Sequence, residues 1–450
     1  MAGKGAVARK RGGVTGIFQI IKNLVGHDKL DRREEDVIDI VGMLFEVMLN
    51  DDRLASIEFR LKWEKNGIRH TDAVYAQRVN FWRDLFPASL RRELMGSHAG
   101  DTLSRSFAPG DLVALPDERQ RHTVPHSRVE GQRADGSPLT PSYGRFYPRG
   151  ILRGVPGVFR GNIDPFRCTE MDDAGIRADF NHPLAGLDLR LDVQIMDVRD
   201  KFEEHGGTAN DWIEQTLTGP GMQSRYNGSA TRFFDGPAFE RDDPNDDRRF
   251  YDRPRLVQHI DDQAIATISG LYGRLIPPGG RVLDLMSSWT SHLPEDLATA
   301  SVTGLGMNAA ELAANARLTS YDVHDLNRTP RLPYPDASFD AVICAVSVEY
   351  LTRPFEVFAD VARVLAPGGV FVVTFSDRWF PPKAIRVWKE LHPFERMGMV
   401  LELFRQSERF TSLATFSSQG RPRPANDKYA DRMLFSDPVF GVWGHRRPMA

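Results

Sequence analysis

The chain is predicted to hold two folded parts of different class: an antiparallel, mostly β domain with a helical extension at its start, then a doubly wound α/β domain. Three observations carry this. From residue 256 onward, helix-period segments alternate with short apolar runs at 282–286, 301–305, 341–345 and 370–375, the rhythm of a parallel sheet covered by helices on both faces. Between about residues 51 and 200 the apolar period is two and turn residues separate the runs, which marks half-buried strands. A length of 450 residues also exceeds what one hydrophobic core usually organises.

The elements follow in order. Lys4, Arg9, Lys10 and Arg11 make a basic arm, and Ile17, Ile20, Ile21 and Leu24 fall at helical spacing behind it. Gln19, Lys22 and Asn23 interrupt that run and no small-residue cleavage site follows, so it reads as a short amphipathic helix rather than a secretion signal. A partly disordered arm, docking on its own protein and a weak touch on an anionic membrane surface are its alternatives. Val37, Ile40, Val41, Leu44, Phe45 and Met48 share one helix face, with Asp31 placed to cap it. Ile57, Phe59, Leu61 and Trp63 alternate with charged residues as a strand, and Asn66-Gly67 is a tight-turn signal. A helix is predicted over 85–94 and strands over 102–107, 166–170, 176–180 and 187–198, with an irregular insertion around 109–165 and a turn tip at Asp135-Gly136. Trp212, Tyr226, Phe233, Phe234, Phe239 and Phe250 are too many aromatics for an idle tether, so the junction over 206–250 is expected to pack on the second domain. There the order is helix 259–275, strand 282–286, a helix, strand 301–305, helix 309–318, an acidic loop, strand 341–345, helix 354–365, strand 370–375, a helical segment 386–405 and a final strand 436–444.

Composition narrows the function. A net charge of -3 argues against a dedicated nucleic-acid binder. No apolar run reaches the roughly 18 residues that span a membrane, and a cytoplasmic location is the default expectation. Cys168 and Cys344 lie in apolar runs, so two buried reduced thiols are expected in place of a disulfide, and no metal site is expected.

Two stretches carry resemblances. The segment Arg281-Val282-Leu283-Asp284-Leu285, the loop His324-Asp325-Leu326-Asn327, the strand Phe339-Asp340-Ala341-Val342-Ile343-Cys344 and the Ala366-Pro367-Gly368-Gly369 turn together resemble the class I S-adenosylmethionine-dependent methyltransferases, in a branch with a variant Ser-Ser-Trp-x-Ser-His loop. The resemblance implies a Rossmann-like fold over 251–450 and S-adenosylmethionine as cofactor. It places Asp284 and the small residues Ser287 and Ser288 at the cofactor, where the family has glycines. It gives Asp325 the adenine amino group, Leu326 a backbone amide on the ring, and Ser347 a place beside the cofactor. The acid that normally holds the ribose falls on Gly306; Asn308 is its substitute, or else only the cap of the next helix. Glu349 and Tyr350 stand where acceptors are processed and are the catalytic candidates, with His259, His292 and His392 as alternatives and a purely structural role open for each.

Upstream, Asn181-His182-Pro183-Leu184-Ala185-Gly186 leading into an alternating strand, with Gly100-Asp101 earlier, resembles FKBP-type prolyl isomerases that carry an insert-in-flap domain, loosely over 55–200. The tyrosine those enzymes carry soon after the Gly-Asp strand is missing; Tyr143-Gly144 comes only after a long gap. The expected organisation is thus a basic arm and helix over 1–50, an FKBP-like domain over 51–205, the junction, and the methyltransferase-like domain. The implied function is methyl transfer to a small-molecule or peptide acceptor, with a proline-containing peptide as a partner of the FKBP-like part. The alternatives are prolyl isomerase or chaperone activity, or a non-catalytic scaffold.

Overall fold

The structure is a computed structural model and describes residues 47–133, 136–201 and 206–448, so the predicted arm and its helices over 1–46 lie outside the described residues, as does Asp135 of the predicted turn tip. The β-rich half opens with a long hairpin, β1 (Arg53–Lys65) and β2 (Ile68–Asn80). Asn66 and Gly67 close it at φ of 54° and 71°, the left-handed pair that a two-residue hairpin turn needs. The helix α1 (Ala88–Leu94) and β3 (Thr102–Phe107) follow, and β8 (Leu189–Asp200) returns to pair antiparallel with both β1 and β3. Between β3 and β8 the insertion folds into its own sheet of β4 (Arg121–Pro125), β5 (Phe146–Pro148), β6 (Pro165–Met171) and β7 (Gly175–Asp179), in the order β4-β7-β6-β5. The runs at 166–170 and 176–180 therefore belong to the insertion and extend it beyond the expected limit near 165.

The α/β half follows two short helices, α2 (Trp212–Leu217) and α3 (Asp247–Tyr251). Next come α4 (Asp262–Leu275), β9 (Arg281–Leu285), β10 (Ser301–Gly306), α5 (Ala309–Ala314), β11 (Ser320–Val323) and β12 (Phe339–Ala345). It ends with α6 (Pro354–Val364), β13 (Leu365–Phe375), α7 (Arg386–Glu390), α8 (Pro393–Gln406), β14 (Phe410–Gln419) and β15 (Val439–Arg446). Helix α6 shows how sequence makes these elements. Val357, Phe358, Val361 and Val364 recur at helical spacing and are all buried, each contributing roughly 1.5–3 kcal/mol. Pro354 starts the helix, where its missing N–H costs nothing.

Several predicted elements differ. No helix forms between β9 and β10: His292 sits at φ 52° and Pro294 follows, and both interrupt helical geometry. The helix expected from 259 starts only at Asp262, because Asp261 caps it by accepting the Ala264 N–H at 3.0 Å. The acidic loop begins as the edge strand β11, and the helical segment over 386–405 is two helices. The junction divides: Ile213 is buried with the β-rich half, whereas Met222, Phe233 and Ala238 are buried with the α/β half.

The largest departure is that the two halves share one sheet of eleven strands, in the order β11-β10-β9-β12-β13-β15-β14-β2-β1-β8-β3. The seam is a parallel pairing of β14 with β2, Ala414 opposite Arg69 through Gln419 opposite Val74. Thr415 Oγ1 lies 2.8 Å from His70 Nδ1, and Ser417 donates to Asp72. Burial pushes the His70 pKa down to about 3 and the Asp72 pKa up to about 7, so near pH 7 the imidazole is neutral and the carboxyl is partly protonated. Beside the seam, Glu395 of α8 accepts from Phe146 N at 2.8 Å and Arg145 Nε at 3.2 Å, tying the insertion to the α/β half.

Candidate active site

Strand direction positions the site. Strands β9 to β13 are mutually parallel, and β9 and β12 are neighbours in the sheet though not in the chain. From β9 the chain moves to β10 on one side; from β12 it moves to β13 on the other. The loops at their carboxyl ends part, and such a gap is where an open α/β sheet takes its ligand. The crevice here holds about 1160 Å³ of space between protein atoms, part of it open to solvent.

Asp284 lies one residue before the end of β9 and is 3% exposed. Burial raises its pKa to about 6, opposed by the 2.6 Å hydrogen bond that Ser287 Oγ donates to it. Met286 follows at φ 59°, a left-handed position that glycine would adopt freely. At the end of β10, a Cβ on Gly306 would lie 2.2 Å from the Ser287 carbonyl oxygen, so no side chain, and hence no carboxylate, fits there. An acid stands five residues on instead. Glu311 of α5, also in the crevice wall, accepts from Ser288 Oγ at 2.7 Å and from the Arg255 N–H at 2.7 Å. Asn308 caps α5 through the amides of Ala310 and Glu311, while its own amide donates to the carbonyls of Tyr251 (2.8 Å) and Asp252 (3.1 Å). Asn308 is thus the cap of α5, and it also lines the crevice.

A strap over 241–260 covers one side. Asp247 of α3 is held by Arg241 (2.9 and 3.0 Å), by Lys383 (3.0 Å) and by Asn327 Nδ2 (2.9 Å), and these bonds outweigh burial to keep its pKa below the ordinary value. Asn327 Nδ2 also donates to the Tyr350 carbonyl at 2.9 Å, so the strap is locked to the loops after β11 and β12. Val346, in the second of these loops, is β-branched yet sits at φ 47°, a strained conformation of the kind that clusters at binding sites.

The crevice brings together Asp284, Ser287, Ser288, Asn308, Asp325, Leu326, Ser347 and Tyr350. Glu349 is not in its wall. That side chain is 1% exposed, burial raises its pKa to about 8, and its Oε2 has no hydrogen-bond partner among the described residues. His259 and His292 do line the crevice, whereas His392 caps α8 elsewhere. Burial lowers both crevice histidines, His292 to about 4, so both imidazoles are neutral near pH 7. Sequence reasoning missed Arg255, Glu311, Asp247 and Lys383. The one available signal was a Glu three residues after a capping Asn, for Glu311.

Residues 287–373 match the family described as a methyltransferase domain. That stretch lies within the α/β half. Among curated proteins, the chain is 31% identical over 106 residues to the ubiquinone/menaquinone biosynthesis C-methyltransferase UbiE of Laribacter hongkongensis, covering 23% of this chain and 41% of that one. It is 28% identical over 106 residues to the "Probable FKBP-type 16 kDa peptidyl-prolyl cis-trans isomerase" of Pseudomonas fluorescens, covering 24% and 61%. The chain thus spans less than two thirds of either relative. The S-adenosylmethionine dependent methyltransferase from Mesorhizobium loti aligns at a TM-score of 0.27 and 18% identity over 41% of this chain and 99% of its own. The domain match supports S-adenosylmethionine as the cofactor of the methyltransferase domain. The crevice fits that group: it has acids at strand ends, a side-chain-free approach at Gly306, and donors on both walls. Among the described residues no group of three metal-ligating side chains occurs, and no helix is long and apolar enough to cross a membrane.

Proposed function

We propose that the chain transfers a methyl group from S-adenosylmethionine to a small-molecule or peptide acceptor held over the β9–β12 gap. The observation that supports this most is the convergence of Asp284 and Asp325 on one crevice at the switch point of a sheet whose loops match a methyltransferase domain. In this reading the 286–292 loop and Asp284 hold the methionine end, Asn308 and Glu311 face the ribose, and Asp325 with Leu326 takes the adenine. The cofactor supplies an electrophilic methyl on a sulfonium. The protein's part is alignment and the exclusion of water. Tyr350 shapes the acceptor side, and its hydroxyl is engaged by the Phe380 N–H at 2.8 Å. Neutral His259 and His292 are placed to accept a proton from an acidic acceptor, a role Glu349 lacks the position for.

Calorimetric titration of S-adenosylmethionine and S-adenosylhomocysteine into the full chain tests this. Micromolar binding that falls at least tenfold in Asp325→Ala supports the reading; a folded chain that binds neither ligand favours a scaffold.

A second reading, peptide binding or prolyl isomerisation by the β-rich half, has the isomerase similarity in its favour. The cavity beside the Asn181–Ala185 turn is bordered by Lys65, Arg121, Arg167 and Asp179, with Phe146 and Tyr226 as its aromatics. A charged wall of this kind suits a polar peptide group better than a proline ring. A protease-coupled prolyl isomerisation assay separates the two.

A further inference from the structure

A dense concentration of charge lies away from the crevice, along one flank of α6. The groove there holds about 1910 Å³ of space between protein atoms, part of it open to solvent. Seven of its fifteen lining residues are arginines, against three acids, in a chain whose net charge is -3. Arg353 precedes α6 and Arg363 lies near its end, so the groove runs roughly 15 Å along the helix at 1.5 Å per residue. Main-chain carbonyls fix the charges at both ends. Arg353 Nη1 donates to the Arg328 carbonyl at 3.3 Å, and Arg446 Nη1 to that of Arg363 at 3.3 Å. The Arg447 N–H donates to the Arg409 carbonyl at 2.8 Å.

Pairing inside the groove is uneven. Glu356 takes Arg353 with both oxygens (2.6 and 2.7 Å), and Asp360 takes Arg363 in the same way (2.7 and 2.8 Å). Arg328, Arg331, Arg409, Arg446 and Arg447 have no carboxylate in ion-pair contact among the described residues, and Glu408 is the remaining acid. Of these five arginines all but Arg446 are exposed. A concave wall of one sign focuses its field on whatever enters. Three properties select the partner. None of the lining residues is aromatic, so bases would find no stacking platform. The wall is concave and holds no large apolar side chain, so a lipid surface would find nothing to receive it. Glu356, Asp360 and Glu408 interrupt the positive charge, which suits separate carboxylates better than a continuous phosphate chain. Arginine's planar fork meets both oxygens of a carboxylate at once.

We propose that an acidic peptide segment of a partner protein, about five extended residues long, docks along α6 with its carboxylates on Arg328, Arg331, Arg409 and Arg447. Arg328 also borders the cavity lined by Asp247 and Asp325, so a segment running toward the start of α6 ends beside the crevice. The docking is independent of the methyl-transfer reading; an acidic peptide acceptor is the form in which the two would combine.

Fluorescence anisotropy of a labelled ten-residue polyglutamate peptide, titrated with the full chain at about 50 mM salt, tests this. Binding is expected, and it should weaken at least tenfold at about 0.5 M salt. The double variant Arg331→Ser/Arg409→Ser should weaken it at least tenfold as well. Neither side chain forms a hydrogen bond among the described residues, so the variant should keep the wild-type melting temperature. Glu408→Gln should tighten binding about twofold, and Arg119→Ser, an exposed arginine of the β-rich half, should leave it unchanged. No binding at low salt, or binding that survives the double variant, would overturn the proposal. So would a single-stranded RNA of equal charge, or phosphatidylserine vesicles, that bind more tightly than the peptide and lose that binding in the double variant; the groove would then belong to nucleic acid or to a membrane.

Discussion

The two ends of the eleven-stranded sheet differ in what their rims collect. At the β9–β12 end the strands run one way, so every carboxyl end faces the same rim and the loops there converge on Asp284, Asp325 and Tyr350. At the β1–β8–β3 end neighbours run in opposite directions, loops are split between two rims, and polar side chains pair across strands. Asp192 there accepts from Ser104 at 2.6 Å and meets Lys62 at 2.5 Å, which holds its pKa near 2 against the effect of burial. Strand direction decides on which rim the loops gather. Buried polar atoms without a partner occur in both halves, Arg255 Nη1 and Glu349 Oε2 at and behind the crevice and Trp63 Nε1 and Asp72 Oδ2 on β1 and β2.

This contrast can be broken at four points. Glu395→Ala leaves Arg145 buried without its carboxylate and should cost about 3 kcal/mol or more, read by urea denaturation. A smaller loss would mean that the insertion is held mainly by apolar contact. Gly420→Val comes next. Gly420 sits at φ 80°, and its Cβ would lie 2.5 Å from the Tyr75 carbonyl, so about 2 kcal/mol is expected. Because the residue follows the seam strand, both halves should lose stability together. A fall confined to one half would show that the seam does not couple them.

Glu349→Gln sharpens the contrast through pH. The folded carboxyl, at about 8, keeps a proton that the unfolded chain, near 4.5, has released. Wild-type stability therefore declines as pH rises from about 4.5 to 8. The variant lacks this decline, which amounts to about 1.4 kcal/mol per pH unit between the two values, and should gain on the wild type with that slope as pH rises from 5 to 8. Parallel melting curves at the two pH values would refute the raised value. The smallest effect is Met286→Gly. Relief of the left-handed position offsets the lost packing of a half-buried side chain, so stability should shift by less than about 1 kcal/mol while S-adenosylhomocysteine affinity stays within threefold.

Most of the parallel end was legible from sequence because β9, β12 and β13 are largely apolar and its turns are marked by Pro and Gly, whereas the polar, exposed β11 read as an acidic loop. The seam was not. The buried face of β2 carries His70 and Asp72, and that of β14 carries Thr415 and Ser417, so neither strand shows the alternation that announces a half-buried strand. Their polar groups face each other, which only the fold reveals. The crevice was half legible. Asp284 and Asp325 sit in recognisable strand-end contexts, but Arg255 and Asp247 reach it from a strap whose sequence shows only charges and aromatics. Glu349 stands next to Tyr350 in the chain, yet the short helical turn over Val348–Tyr350 sends the two side chains to different surroundings.

The pairing of β14 with β2 also has a consequence for solubility. Two separate sheets would present four open edges, each a template for strand addition by another chain. Joined, the eleven strands leave two, β11 and β3, across a width of about 48 Å at the usual strand spacing. Either half expressed alone would uncover a raw edge, β2 in one case and β14 in the other. Fragments cut within 206–250 are therefore expected to self-associate where the full chain does not, and light scattering of the separate halves against the intact protein would show it.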